Sequence, residues 1–128
     1  MTSFKKLSVV IVEDEAMIRV LLCDMLEELG HAIAGQAADL DEGLALVRSP
    51  LVFDLAILDV NLEGKSCEPI AAALEWRGLP FVFVTGYGES GIPERFGGRP
   101  FLEKPFAIAD LMDLLQAVAR DSARRRRR

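Results

Sequence analysis

Leu-Ser-Val-Val-Ile-Val-Glu-Asp, residues 7–14, is a short β-branched apolar run that stops on two adjacent carboxylates. It has no polar alternation, which is the pattern of a strand covered on both faces. Immediately after it, Ile18, Leu21, Leu22, Met25, Leu26 and Leu29 recur at helical spacing across residues 15–29. Arg19, Glu27 and Glu28 take the wet side, and Gly30 marks the helix end. A buried strand followed by an amphipathic helix is the first half of a strand–helix–strand unit.

The rest of the chain repeats that alternation. Residues 31–36 form a weak second strand, and 40–49 a short helix opened by Asp39 or Asp41 and stopped by Pro50. Residues 55–58 are a strand leading into Asp59; residues 67–77 are a helix with Ile70, Ala71, Ala73 and Leu74 available for packing. After a turn at 78–80 comes a strand at 81–85 that ends on Thr85. Residues 86–99 carry Gly86, Gly88, Gly91, Pro93, Gly97 and Gly98, so a helix there is poorly specified. A brief strand at 101–103 leads to Lys104–Pro105, whose bond the sequence leaves open as cis or trans. The last helix, 107–120, turns Ile108, Leu111, Met112, Leu115, Val118 and Ala119 inward. The pattern predicts an α/β fold, a doubly wound five-stranded parallel sheet in a three-layer sandwich. Residues 1–123 make one domain, and 124–128 a basic, solvated and disordered tail.

Composition narrows the function. Net charge is −5, but residues 124–128 are all arginine. Ten other basic residues face 20 acidic ones, so residues 1–123 carry −10, a poor general surface for nucleic acid. No apolar stretch reaches the roughly 20 residues of a membrane span, and residues 1–6 lack a signal-peptide core. The expectation is a cytoplasmic protein that binds neither membrane nor nucleic acid. Cys23 and Cys67 form no CxxC pair, which argues against zinc or a disulfide framework. His31, Cys67 and Trp76 read as structural.

In a parallel sheet the strand C-termini share one edge, where such sheets bind ligands. That edge receives Glu13, Asp14, Asp59, Thr85 and Lys104. Clustered carboxylates repel one another, and a hard cation relieves this; magnesium needs only one or two carboxylates besides water and phosphate oxygens. A carboxylate such as Asp59 can also attack phosphorus to form an aspartyl phosphate. Lys104 would then balance the transferred charge, and Thr85 would donate a hydroxyl hydrogen bond. Each residue alone has an ordinary structural explanation; it is their order, each closing a strand, that points to one site.

Val-Glu-Asp-Glu at 12–15, Leu-Ala-Ile-Leu-Asp at 55–59, Thr85 and Glu-Lys-Pro-Phe at 103–106 together resemble the receiver domain of two-component response regulators, over nearly the whole of residues 7–120. The resemblance implies the flavodoxin-like (CheY-like) strand order 2-1-3-4-5. It makes Asp59 the phosphoacceptor and assigns magnesium to Glu13, Asp14, Asp59 and the backbone carbonyl of Asn61. Thr85 and Lys104 would hold the phosphoryl group, and Phe101 occupies the family's switch position. Phe83-Val-Thr-Gly-Tyr-Gly88 further resembles the FATGUY receivers, which are often paired with HWE-type histidine kinases; Val84 and Gly86 shape this variant of the motif. Phe101 lacks a hydroxyl, so the switch would work by packing, with Thr85, Gly86 and Tyr87 beside it. Tyr87 stands near the expected path of hydrolytic water and would slow phosphoryl loss.

The expected function is therefore a single-domain response regulator and not an enzyme. It takes a phosphoryl group from a sensor histidine kinase (HWE-type if the narrower resemblance holds) or a phosphotransfer protein. It then signals to a downstream protein target, or acts as a phosphate sink. The surface from Ile92 through Phe96 to the last helix is the candidate contact, unless those apolar residues belong to the core. The alternatives are a binding module that works without phosphorylation, or a magnesium-dependent phosphohydrolase.

Overall fold

The computed structural model describes residues 5–126. Strand β1 (Ser8–Val12) lies inside a five-stranded sheet, between the edge strand β2 (Ala32–Ala37) and the central strand β3 (Leu55–Asp59). Beyond β3 come β6 (Phe81–Thr85) and β7 (Phe101–Glu103), and every pairing is parallel. Numbering only the strands of this sheet, the order is 2-1-3-4-5, as expected. Helices α1 (Ala16–Glu28), α2 (Leu40–Arg48) and α3 (Glu68–Trp76) supply the crossovers as far as β6, and with α4 (Ile108–Arg126), which follows β7, they form the two outer layers.

Successive side chains of a strand point to opposite faces, and here each face has its own core. Val10, Val12, Ala56, Leu58, Phe81 and Phe83 pack with Val47 of α2 and with Ile70, Ala71 and Leu74 of α3. Val9, Ile11, Leu55, Ile57, Val82 and Val84 pack with Leu22 and Leu26 of α1 and with Leu111 and Leu115 of α4. Both faces are apolar, which is why β1, β3 and β6 read as unbroken hydrophobic runs. Asp39 settles the start of α2: its Oδ1 accepts from the Glu42 amide at 2.8 Å, while Glu42 Oε1 accepts from Ala38. Helix α4 continues past Arg120, where the apolar periodicity stops, to Arg126. The remaining arginines of the expected tail, Arg127 and Arg128, lie outside the described residues.

Three local features depart from the expectation. A small antiparallel hairpin, β4 (Asn61–Leu62) and β5 (Lys65–Ser66), follows β3. Its two turn residues, Glu63 (φ 54) and Gly64 (φ 84), both take positive φ, the conformation a two-residue hairpin loop demands. The glycine-rich segment contains no α-helix, in keeping with its glycine content, and folds as two 3₁₀ turns, Gly88–Gly91 and Glu94–Phe96. Ile92 and Phe96 are buried in the α2–α3 face of the core, which corrects their candidacy as a contact surface. Phe96 packs edge-on to Phe81 at 5.6 Å and tilted against Phe83 at 6.1 Å. Trp76, expected to be structural, is instead 91% exposed at the end of α3. His31 is structural: its Nδ1 accepts from the Leu7 amide at 3.0 Å.

Candidate functional site

Backbone pairing at the sheet's C-terminal edge sets the position of each site residue. Glu13 follows β1, and its amide donates to Ala37 at the end of β2. Asp59 closes β3 opposite Val84, and Thr85 closes β6 opposite Glu103. The Lys104 amide donates to the Thr85 carbonyl at 2.8 Å, carrying the lysine back over the edge; the Lys104–Pro105 bond is cis.

Glu13, Asp14 and Asp59 each offer a carboxylate oxygen within 4.8 Å of the others. Lys104 Nζ stands 3.1 Å from Glu13 Oε1 and 3.3 Å from Asp59 Oδ2. Asp14, half-buried, accepts at Oδ2 from the Glu63 amide at 3.0 Å, so the hairpin turn braces it. Asp59 Oδ1 accepts from the Asn61 amide, and Asn61 Oδ1 accepts from Gly64. These groups surround a cavity of about 290 Å³ lined by Asp14, Glu15, Asp59, Val60, Asn61, Gly86, Tyr87 and Lys104.

The electrostatics follow from that crowding. Burial, with the hydrogen bond and charge of Asp59 added, pushes the Glu13 carboxyl up to about 8. Burial works on Asp14 in the same direction, but hydrogen bonds from Glu13 and the Glu63 amide hold it below the usual carboxylate range. Burial would favour neutral Lys104, yet the charges of Asp59 and Glu13 keep its ammonium above the usual lysine range. Glu13 Oε1 is buried and, despite the nearby ammonium, makes no hydrogen bond among the described residues. An all-oxygen donor set with an unsatisfied buried carboxylate oxygen fits a hard divalent cation such as magnesium.

A stability prediction comes with Glu13. Folded Glu13 keeps its proton to about pH 8, while its ordinary value is 4.5, so between these values the unfolded chain binds fewer protons than the folded one. Stability without divalent cation should therefore be highest at the acid end of that window and fall as pH rises through it. Thermal melting in chelator from about pH 5 to 8 checks this. Glu13→Gln should flatten the fall; a wild-type Tm that rises across the window contradicts it.

The structure brings together Glu13, Asp14, Asp59, Asn61, Gly86, Tyr87 and Lys104. It places Thr85 differently. The Thr85 side chain is buried, does not line the cavity, and its Oγ1 accepts from the Tyr87 amide at 3.0 Å. Phe101 is half-buried against the α2–α3 core and lines an adjoining groove with Glu103, Asp110, Asp113 and Leu114, Lys104 being common to that groove and the cavity. Glu15 was not foreseen in the site: it lines the cavity, and its Oε1 lies 3.7 Å from Lys104 Nζ. The second glutamate of Val-Glu-Asp-Glu was the available signal.

This arrangement of acidic trio, strand-end threonine and lysine agrees with the sequence comparison: residues 9–116 match the response regulator receiver domain. The chain belongs to the response regulator receiver domain family. It is thus a receiver domain of two-component signalling, with the doubly wound sheet of that family. The transcriptional regulatory protein PdtaR of Mycobacterium tuberculosis is 36% identical over 119 residues, 88% of this chain and 57% of the relative. The chain spans little more than half the length of that curated relative. The solution structure of SdrG from Sphingomonas melonis Fr1 is similar at 39% identity and a TM-score of 0.77, covering 89% of this chain and 97% of that one. The BeF3-activated conformation of SdrG, from Pseudomonas melonis Fr1, matches at 40% identity and a TM-score of 0.74, covering 86% of this chain and 93% of that one. Among the described residues no helix is long and apolar enough to cross a membrane.

Proposed function

We propose that this receiver accepts a phosphoryl group on Asp59 from a sensor histidine kinase or phosphotransfer protein and passes the signal on by protein contact. The observation that carries the reading is Lys104 Nζ held 3.3 Å from Asp59 Oδ2, where Asp59 clusters with the carboxyl groups of Glu13 and Asp14. Asp59 attacks phosphorus, the donor nitrogen leaves, and Lys104 is already placed to balance charge on the phosphoryl oxygens. Glu13, Asp14, Asp59 and the Asn61 carbonyl would hold magnesium, which when bound supplies further positive charge to the transferring group. Thr85 exchanges its hydrogen bond from the Tyr87 amide for one to the phosphoryl group, and Phe101 repacks behind it. Ile92 and Phe96 are seated in the core, so the readout is concentrated in residues 86–91. Cytoplasmic action and an HWE-type kinase donor belong to the same reading, and use as a phosphate sink is its alternative output. The chain is not itself an enzyme in this scheme.

The decisive experiment incubates wild type and Asp59→Asn with a phosphorylated kinase and magnesium. Label is expected on wild type alone; label on both proteins, or on neither, overturns the reading. Tyr87, 71% exposed at the cavity rim, is placed to obstruct water. Tyr87→Ala should speed dephosphorylation about tenfold, equivalent to ~1.4 kcal/mol off the barrier. An unchanged decay rate of the phosphorylated protein removes that role.

A further inference from the structure

The Thr85 hydroxyl rests in a space that one missing side chain creates. A Cβ built on Gly91 would stand 2.4 Å from Thr85 Oγ1, far inside van der Waals contact, and 3.3 Å from Tyr87 Cβ. Gly91 does not have the positive φ that Gly88 has (+62), so its backbone conformation is open to any residue. What it provides is room. Threonine has three staggered positions about χ1, holding oxygen, methyl and hydrogen. The oxygen now occupies the position that faces Gly91, where it accepts the Tyr87 amide. The methyl group is no smaller, so a Cβ at residue 91 leaves only the hydrogen able to face it.

We propose that Gly91 is a positioning residue for phosphorylation: by carrying no side chain it makes the berth in which the Thr85 hydroxyl waits outside the Asp59 cavity. It thereby sets how readily a phosphoryl group recruits that hydroxyl. The inference rests on Asp59 being the phosphoryl acceptor. The rotamer in which Thr85 Oγ1 accepts from the Tyr87 amide competes with the one from which the hydroxyl would donate to a phosphoryl oxygen. Removing the berth destabilises the waiting state without touching a group that contacts the phosphoryl oxygens.

The test measures the affinity of the full chain for beryllofluoride, a phosphoryl mimic, with magnesium present. Gly91→Ala is expected to bind about 2- to 10-fold more tightly than wild type, the range set by loss of one competing hydrogen bond. In a Thr85→Ala background the same substitution should change nothing, because no hydroxyl remains to evict. Equal affinity of Gly91→Ala and wild type, or the same gain in the Thr85→Ala background, overturns the proposal. If Gly91→Ala does not fold, the Tyr87 amide resonance of wild type decides. It should shift when beryllofluoride binds and takes its acceptor away; an unmoved resonance overturns the berth. Wild type that fails to bind beryllofluoride removes the acceptor reading and the berth together. Binding by wild type with no effect of Gly91→Ala removes the berth alone.

Discussion

Lys104→Ala should slow phosphorylation of Asp59 by a small donor such as acetyl phosphate by about 100-fold or more, the size of effect seen when a preorganised charge partner is removed from a transferring group. Nζ lies 3.1 Å from Glu13 and 3.3 Å from Asp59, so its loss also leaves two buried carboxyl groups without their cation. The apo variant should therefore melt below wild type, and magnesium should recover more of the loss than it adds to wild type, because the metal then carries the whole task of neutralisation. Lys104→Arg separates charge from position. A planar guanidinium cannot reproduce a compact ammonium pointed between the Glu13 and Asp59 carboxyl groups, so only partial recovery of rate is expected. Quenched time courses with labelled donor, and melts with and without magnesium, measure both effects. A phosphorylation rate within threefold of wild type for Lys104→Ala would show that the lysine is an ordinary ion-pair partner.

Phe96→Ala should cost about 3–5 kcal/mol, the usual range for truncating a fully buried aromatic ring. Phe96 is 1% exposed and its ring packs against both Phe81 and Phe83, with the guanidinium of Arg95 5.0 Å and that of Arg99 5.6 Å from its centroid. Both arginines also pair with Glu75 of α3, although these ion pairs are exposed and add little. The ring is the peg by which a segment without an α-helix is fastened to the sheet. Denaturant unfolding measures the loss, and hydrogen exchange should show it spreading to residues 86–96. A loss below about 1 kcal/mol would mean that the segment contributes little to the folded state.

Much of this was legible in the chain. Residues 7–14 showed a strand buried on both faces, because a parallel sheet covered by helices leaves no wet face to encode. The carboxylates just after β1 and at the end of β3, the threonine that closes β6 and the lysine after β7 were visible because each interrupts an apolar run. Less visible were features that depend on contacts distant in sequence. The hairpin at 61–66 is only two residues per strand, too short for a periodic signal, and its Glu63 and Gly64 give only a local turn hint. Ile92 and Phe96 looked equally suited to a surface patch or the core; their positions inside an irregular segment gave no periodicity by which to choose. Glu15 enters the site only because Lys104 returns across the sheet edge to meet it.

By itself the sequence determined the alternation of strands and helices, the parallel sheet, and the identity of the groups gathered at its C-terminal edge. Those follow from local hydrophobic pattern and from chain connectivity, which short-range information encodes. The tertiary structure alone decided which of those groups face the cavity and which turn aside. Thr85 stands at the expected strand end, yet its hydroxyl points toward Gly91 and the Tyr87 amide, because a glycine six residues later leaves the space there. A rotamer is chosen by the atoms packed against it, and those atoms come together only when the chain has folded.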